Sequence, residues 1–188
     1  MNHLTQALRS FVDLFERRNV PYAVMGGLAV RVYGIPRATY DIDFTITLAR
    51  EELPEVLRAA EGLGVSVPAP YFSGWLDNVA GMSLIKLHLF VEGRGVDIDI
   101  FLAENDFQNE LMSRRRLEKL EDKPVALVSP EDLILLKVLA SRPRDLADAG
   151  DVLFTQGQLD VAYLRHWGDR LQVRDALEKL IEEFYSAK

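Results

Sequence analysis

Tyr22-Ala23-Val24-Met25-Gly26-Gly27-Leu28-Ala29-Val30-Arg31-Val32-Tyr33 is followed, after a loop opened by Gly34 and Pro36, by Asp41-Ile42-Asp43-Phe44-Thr45-Ile46-Thr47. The first four residues form a short apolar run suited to a buried strand. Gly26-Gly27 breaks that run, and Leu28 to Tyr33 reads as a short helix. The second stretch alternates, with Ile42, Phe44 and Ile46 on one face and Asp41, Asp43 and Thr45 on the other. Strand, glycine pair, helix and strand in that order set a mixed α/β fold.

The flanking segments extend this pattern. Leu4, Ala7, Leu8, Phe11, Val12 and Phe15 recur at helical spacing, so residues 3–18 form an amphipathic helix that Asn19 and Pro21 end. Residues 50–63 repeat the pattern through Leu53, Val56, Leu57, Ala60 and Leu63, with Pro54 in the first turn. Leu84–Val91 and Val96–Leu102 flank Glu92-Gly93-Arg94-Gly95 and read as a hairpin. A short helix over Asp106–Met112 and a strand over Val125–Val128 follow. Ser129-Pro130-Glu131-Asp132 is a strong helix start, with a Ser N-cap, Pro at the first helical position and acidic residues in the first turn. Asp145–Phe154, Val161–Trp167 and Val173–Tyr185 are helical. The expected architecture is α/β (α+β), a small mixed β-sheet flanked by helices over residues 1–128, then a C-terminal helical region over 129–188 that packs on it.

The chain has 188 residues, 48% hydrophobic and 27% charged, enough to bury a core in one compact domain. Its net charge of -7 and pI near 5.0 argue against non-specific coating of nucleic acid, which needs a basic surface. Cysteine is absent, which excludes disulfides and thiolate catalysis. Met1–Ser10 lacks an apolar signal core and no stretch reaches membrane-spanning length, so a cytoplasmic protein with no membrane partner is expected.

Alternate residues of a strand lie roughly 6.5 Å apart on one face. Asp41 and Asp43 therefore present two carboxylates side by side, and Val96-Asp97-Ile98-Asp99-Ile100 repeats the arrangement. Such pairs in apolar strands are costly as plain core, since like charges repel and desolvation is unfavourable. A divalent cation removes the conflict, and magnesium commonly takes one or two carboxylates together with substrate phosphates. Gly26-Gly27 permits close backbone approach, and the N-terminus of the helix beyond it suits a phosphate. Asp97 and Asp99 share a strand face, so spacing alone leaves open which of them joins the first pair.

In this arrangement the sequence resembles the nucleotidyltransferase superfamily that includes DNA polymerase β and the aminoglycoside and lincosamide nucleotidyltransferases. The residues that carry the resemblance are Met25-Gly26-Gly27, Asp41-Ile42-Asp43, and Asp99 within Asp99-Ile100-Phe101-Leu102-Ala103. Gly34-Ile35-Pro36-Arg37-Ala38-Thr39-Tyr40, Ser129 to Leu133, Lys137 and Arg142 to Asp148 look like the bacterial branch related to AbiEii-type toxins. The resemblance covers roughly residues 20–155. It implies transfer of a nucleoside monophosphate from an NTP to an acceptor hydroxyl, assisted by two magnesium ions, with manganese as the alternative. Asp41, Asp43 and Asp99 would be the metal-binding and catalytic carboxylates. Gly26, Gly27, Arg37 and Lys137 would contact the nucleotide. In the toxin-like branch the acceptor would be tRNA or another macromolecule and an antitoxin would be the partner. The alternatives are an antibiotic-type enzyme acting on a small molecule and an inactive nucleotide-binding module of the same fold.

Other polar residues have plainer readings. Lys137 interrupts an apolar helix and either snorkels or seeks an anion. Asp145 and Asp148 stand near a helix start, where acidic residues cap. Arg142 and Arg144 read as surface arginines, and Arg114-Arg115-Arg116 as a solvated helix face with phosphate binding as the alternative. His3, His88 and His166 have no ligand spacing. Tyr71, Phe72 and Trp75 lie in a Pro- and Gly-containing loop and pack over the sheet, with base stacking as the alternative.

Overall fold

The computed structural model describes residues 2–120 and 123–185. In chain order the elements are α1 (His3–Arg17), β1 (Tyr22–Met25), α2 (Gly26–Tyr33), β2 (Asp41–Ile46), α3 (Leu53–Glu61), β3 (Val65–Ser66), α4 (Ala69–Phe72), β4 (Asp77–Val79), β5 (Met82–Val91), β6 (Arg94–Leu102), α5 (Asp106–Ser113), β7 (Arg116–Leu120), β8 (Lys123–Leu127), α6 (Pro130–Ala140), α7 (Pro143–Thr155), α8 (Val161–Arg170) and α9 (Arg174–Phe184). The mixed α/β class expected from the sequence is what the chain adopts. Two compact units compose it: one of residues 1–24 and 39–113, the other of 25–38 and 114–188. The sequence reading draws its boundary after residue 128; the compact units instead group residues 25–38 and 114–128 with the C-terminal helices.

The first unit is a sheet in the order β3-β5-β6-β2-β1, with β4 on β5. β2 runs parallel to β6, and β5 runs antiparallel to β6. α1 packs on this sheet. Its Phe11 and Phe15 are fully buried against Phe44 of β2, with ring centroids 5.9 and 5.2 Å away, and Tyr22 closes the cluster at 6.2 Å from Phe44. The alternation read in β2 holds through Phe44: Ile42, Phe44 and Ile46 are fully buried, Asp41 is exposed and Asp43 half-buried, while Thr45 of the polar face is buried too. The hairpin turn is tighter than its sequence suggests. Val91 pairs with Arg94, leaving Glu92 and Gly93 as the turn, both with positive φ (51° and 78°). That conformation matches the right-handed twist of the flanking strands.

The second unit holds α2, the β7–β8 hairpin and helices α6 to α9. α6 is apolar nearly all round and correspondingly buried, with Leu133, Ile134 and Leu135 at 0% exposure. It packs on α2, α7 and α8. Ser129 caps it as expected, its side chain accepting from the Asp132 N–H at 3.1 Å. The arginine run lies on no helix: α5 ends at Ser113 and Arg116 opens β7. Arg114 stacks over the Tyr163 ring at 3.8 Å and pairs with Glu131 at 3.3 Å, so its charge serves packing. Among the described residues, no helix is long and apolar enough to cross a membrane.

Candidate active site

The parallel register of β2 and β6 sets Asp41 opposite Asp97 and Asp43 opposite Asp99. The antiparallel register of β5 adds His88 opposite Asp97 and Lys86 opposite Asp99. Directly paired residues share a sheet face and neighbouring strands lie about 4.8 Å apart. The first unit therefore displays two rows, His88–Asp97–Asp41 nearer the sheet end and Lys86–Asp99–Asp43 behind it. The expected carboxylates Asp41, Asp43 and Asp99 are thus on one face of one sheet.

The two rows differ in chemistry. His88 Nδ1 lies 2.7 Å from Asp97 Oδ1, so the imidazole engages Asp97. Gly95 makes that pose fit, since a Cβ there would come within 2.5 Å of His88 Nε2. Asp41 takes a 2.7 Å hydrogen bond from the Thr39 hydroxyl. Asp99 is more enclosed. Burial pushes its carboxyl above the ordinary carboxylate range; Lys86 opposes this, and the negative charges of Asp41, Asp97 and Asp77 reinforce it. A raised proton affinity strengthens this carboxylate as a proton acceptor.

Among the described residues, no set of three or more His, Asp or Glu side chains is already gathered into a metal cage. The donor set nevertheless suits magnesium, which takes one or two carboxylates per ion and fills its octahedron with water and substrate phosphate. Asp43 and Asp99 in register supply two such oxygens from adjacent strands.

Beside the rows, Tyr71 of α4 donates its hydroxyl to Asp77 at 2.7 Å and accepts the Lys86 backbone N–H at 3.1 Å. Trp75 stacks on Tyr71 at 5.7 Å and stays 55% exposed, so one aromatic packs and the other faces solvent.

The remaining expected residues belong to the second unit. α2 begins at Gly26, not at Leu28, and Gly26 itself has a φ of 63°, which only glycine adopts without strain. No side chain caps this helix, and Gly27 within its first turn is buried. Bare N–H groups at such a start are what an anion requires. Arg37 and Lys137 are occupied by carboxylates. Arg37 Nε and Nη2 each lie 2.6 Å from an oxygen of Asp148. Lys137 Nζ lies 2.8 Å from both Asp145 and Asp148. Burial works against ionisation of Asp148, yet hydrogen bonds from Arg37 and Lys137 outweigh it and hold its carboxyl below the usual range. Asp145 behaves likewise through Arg142 and Lys137. Arg144 donates to the Ala38 carbonyl at 3.2 Å, fixing the same loop.

No protein-family model matches the sequence, and no curated protein does. Solved structures do. An antigenic nucleotidyltransferase-like protein from Paracoccidioides brasiliensis aligns over 93% of this chain and 92% of its own, with TM-score 0.53 and 20% identity. ANT(2″)-Ia, solved with adenylyl-2″-tobramycin, aligns over 95% and 98%, with TM-score 0.59 and 15% identity. A lincosamide antibiotic adenylyltransferase solved with lincomycin bound aligns over 80% and 97%, with TM-score 0.52 and 19% identity. The chain has the nucleotidyltransferase fold. Within that fold, Lys86 is the residue that the linear sequence does not reveal. A lysine at an alternating strand position is unremarked until the Glu92-Gly93 turn fixes its register opposite Asp99.

Proposed function

We propose that this chain is a magnesium-dependent nucleotidyltransferase that moves a nucleoside monophosphate from an NTP to an acceptor hydroxyl. The carrying observation is the register that sets Asp43 beside Asp99, with Asp41 on the same face. Asp41 and Asp43 would hold the magnesium that accompanies the nucleotide, and Asp99 would join them on the acceptor side. Magnesium held there supplies neutralising charge for the entering and leaving oxygens. Asp99 accepts the acceptor's proton as its oxygen bonds to the α-phosphorus. The bond from the α-phosphorus to the bridging oxygen breaks, and its electron pair leaves with pyrophosphate. By the resemblance alone, Gly26 and Gly27 would contact the nucleotide through their backbone N–H groups. Positioning and charge neutralisation supply most of the catalysis in such a transfer.

Two acceptor classes have support. The AbiEii-like lead-in through Arg37 and the Lys137 to Asp148 segment favours a toxin-like enzyme acting on tRNA or another macromolecule, in the cytoplasm and beside an antitoxin. The solved likenesses that carry tobramycin and lincomycin chemistry favour a small-molecule acceptor. Incubation with magnesium and each α-labelled NTP, against an RNA pool and against an aminoglycoside and lincosamide panel, separates them. Label transfer that Asp43→Asn abolishes supports the enzyme, and the labelled species names the acceptor. Nucleotide binding with no transfer to any acceptor supports an inactive binding module instead.

A further inference from the structure

A triphosphate donor gains from a protein cation near the carboxylates that hold its metal, because phosphate oxygens and carboxylates repel. The cations singled out from the sequence are committed elsewhere. Arg37 is clamped by both oxygens of Asp148, and Lys137 is shared between Asp145 and Asp148 at 2.8 Å. Arg114 and Arg116 pair with Glu131 at 3.3 and 3.6 Å. Arg50, near the other end of β5, is held by Glu104 at 2.5 Å.

Lys86 differs from all of these. It stands opposite Asp99 in the row Lys86–Asp99–Asp43, on the carboxylate face itself. Its backbone is anchored by the Tyr71 hydroxyl, while its side chain is exposed. Among the described residues it enters no salt bridge. We propose that Lys86 is the cation of the carboxylate face that binds the donor's polyphosphate. The proposal rests on the nucleotidyl-transfer reading above. Lysine suits the task as a compact charge on a flexible stem, able to reach a phosphate held beside the carboxylate row. Once a divalent cation neutralises Asp99, the ammonium no longer has that carboxylate to balance.

The chain contains no cysteine, so a single introduced thiol can be modified alone. Full-length Lys86→Cys is titrated with inorganic tripolyphosphate in magnesium buffer by calorimetry, before and after alkylation with 2-bromoethylamine. Alkylation regenerates a primary amine at lysine length within the same folded preparation. Lys86→Cys should bind about tenfold more weakly than the wild type, and alkylation should restore binding to within about twofold, as expected for one charge-assisted phosphate contact. Equal affinity before and after alkylation overturns the proposal. If, in addition, label transfer depends on Asp43, the nucleotidyl-transfer reading survives and only the role of Lys86 falls. A wild-type chain that binds neither tripolyphosphate nor any NTP overturns both.

Discussion

Asp99 is half-buried among Asp41, Asp77 and Asp97, and this enclosure has consequences for both activity and stability. Burial holds its proton to a higher pH in the folded chain than in the unfolded one. The folded state therefore binds more protons across that interval, and stability falls as pH rises through it. Without a divalent cation, the ionised form of this carboxylate is a net cost. Asp99→Asn should raise the thermal midpoint measured in chelator at pH 7, and a lowered midpoint would count against this account. The same substitution should cut nucleotidyl transfer by about 10²-fold or more, the usual cost of removing a general base. Chelation of the wild type should abolish transfer, with magnesium restoring it; transfer that persists in excess chelator would exclude the metal assignment.

At the level of elements, the β5–β6 turn sets the register on which both rows depend. A one-residue slip would send Lys86 and Asp99 to opposite faces. Glu92 occupies a left-handed position that suits Asn better, since Asn is the favoured partner of Gly in this turn. Glu92→Asn should therefore stabilise the chain by about 1 kcal/mol in urea denaturation with activity retained. The α6–α7 pair is held by Lys137, Asp145 and Asp148, whose side chains are less than a tenth exposed. Removing Lys137 takes one of two cations from each buried aspartate but leaves Asp148 with Arg37 and Asp145 with Arg142, so Lys137→Met should cost about 1–3 kcal/mol. Because both aspartates sit below the usual carboxylate range, the stability they give is present above the unfolded pKa and lost as acid protonates them. A Lys137→Met chain should accordingly show a shallower loss of stability in acid than the wild type. Much of this level was legible in the sequence: the apolar period gave α1 and α3, alternation gave β2, and Ser129-Pro130 gave the start of α6. β7 was not, because Arg116, Glu118 and Lys119 suit an edge strand that needs no apolar face, and Leu117 is 75% exposed. The carboxylates were legible because their spacing is local. The pairing of Lys86 with Asp99 was not, because it depends on turn geometry, and the partners of Arg37 lie more than a hundred positions away, at Asp148.

For the whole molecule, each compact unit is assembled from separated stretches of chain. The C-terminal helices receive α2 and the Arg37 clamp from residues 25–38. A fragment of residues 129–188 alone loses both, so its far-ultraviolet circular dichroism should show much less helix than its share of the intact chain. Adding a peptide of residues 25–38 should recover part of that helix. A fragment as helical alone as in the full chain would contradict the dependence.

This interleaving also constrains how such a gene can change by recombination. The chain passes between units after residues 24, 38 and 113, so a single crossover with a homologue at any of the three leaves at least one unit built from two parents, and a crossover after residue 38 mixes both. The parental pairing survives in both units only when residues 1–24 are inherited with 39–113 and residues 25–38 with 114–188. Lineages bearing this arrangement should diversify by point substitution and by insertion in surface loops, and exchange of whole halves should leave few viable descendants.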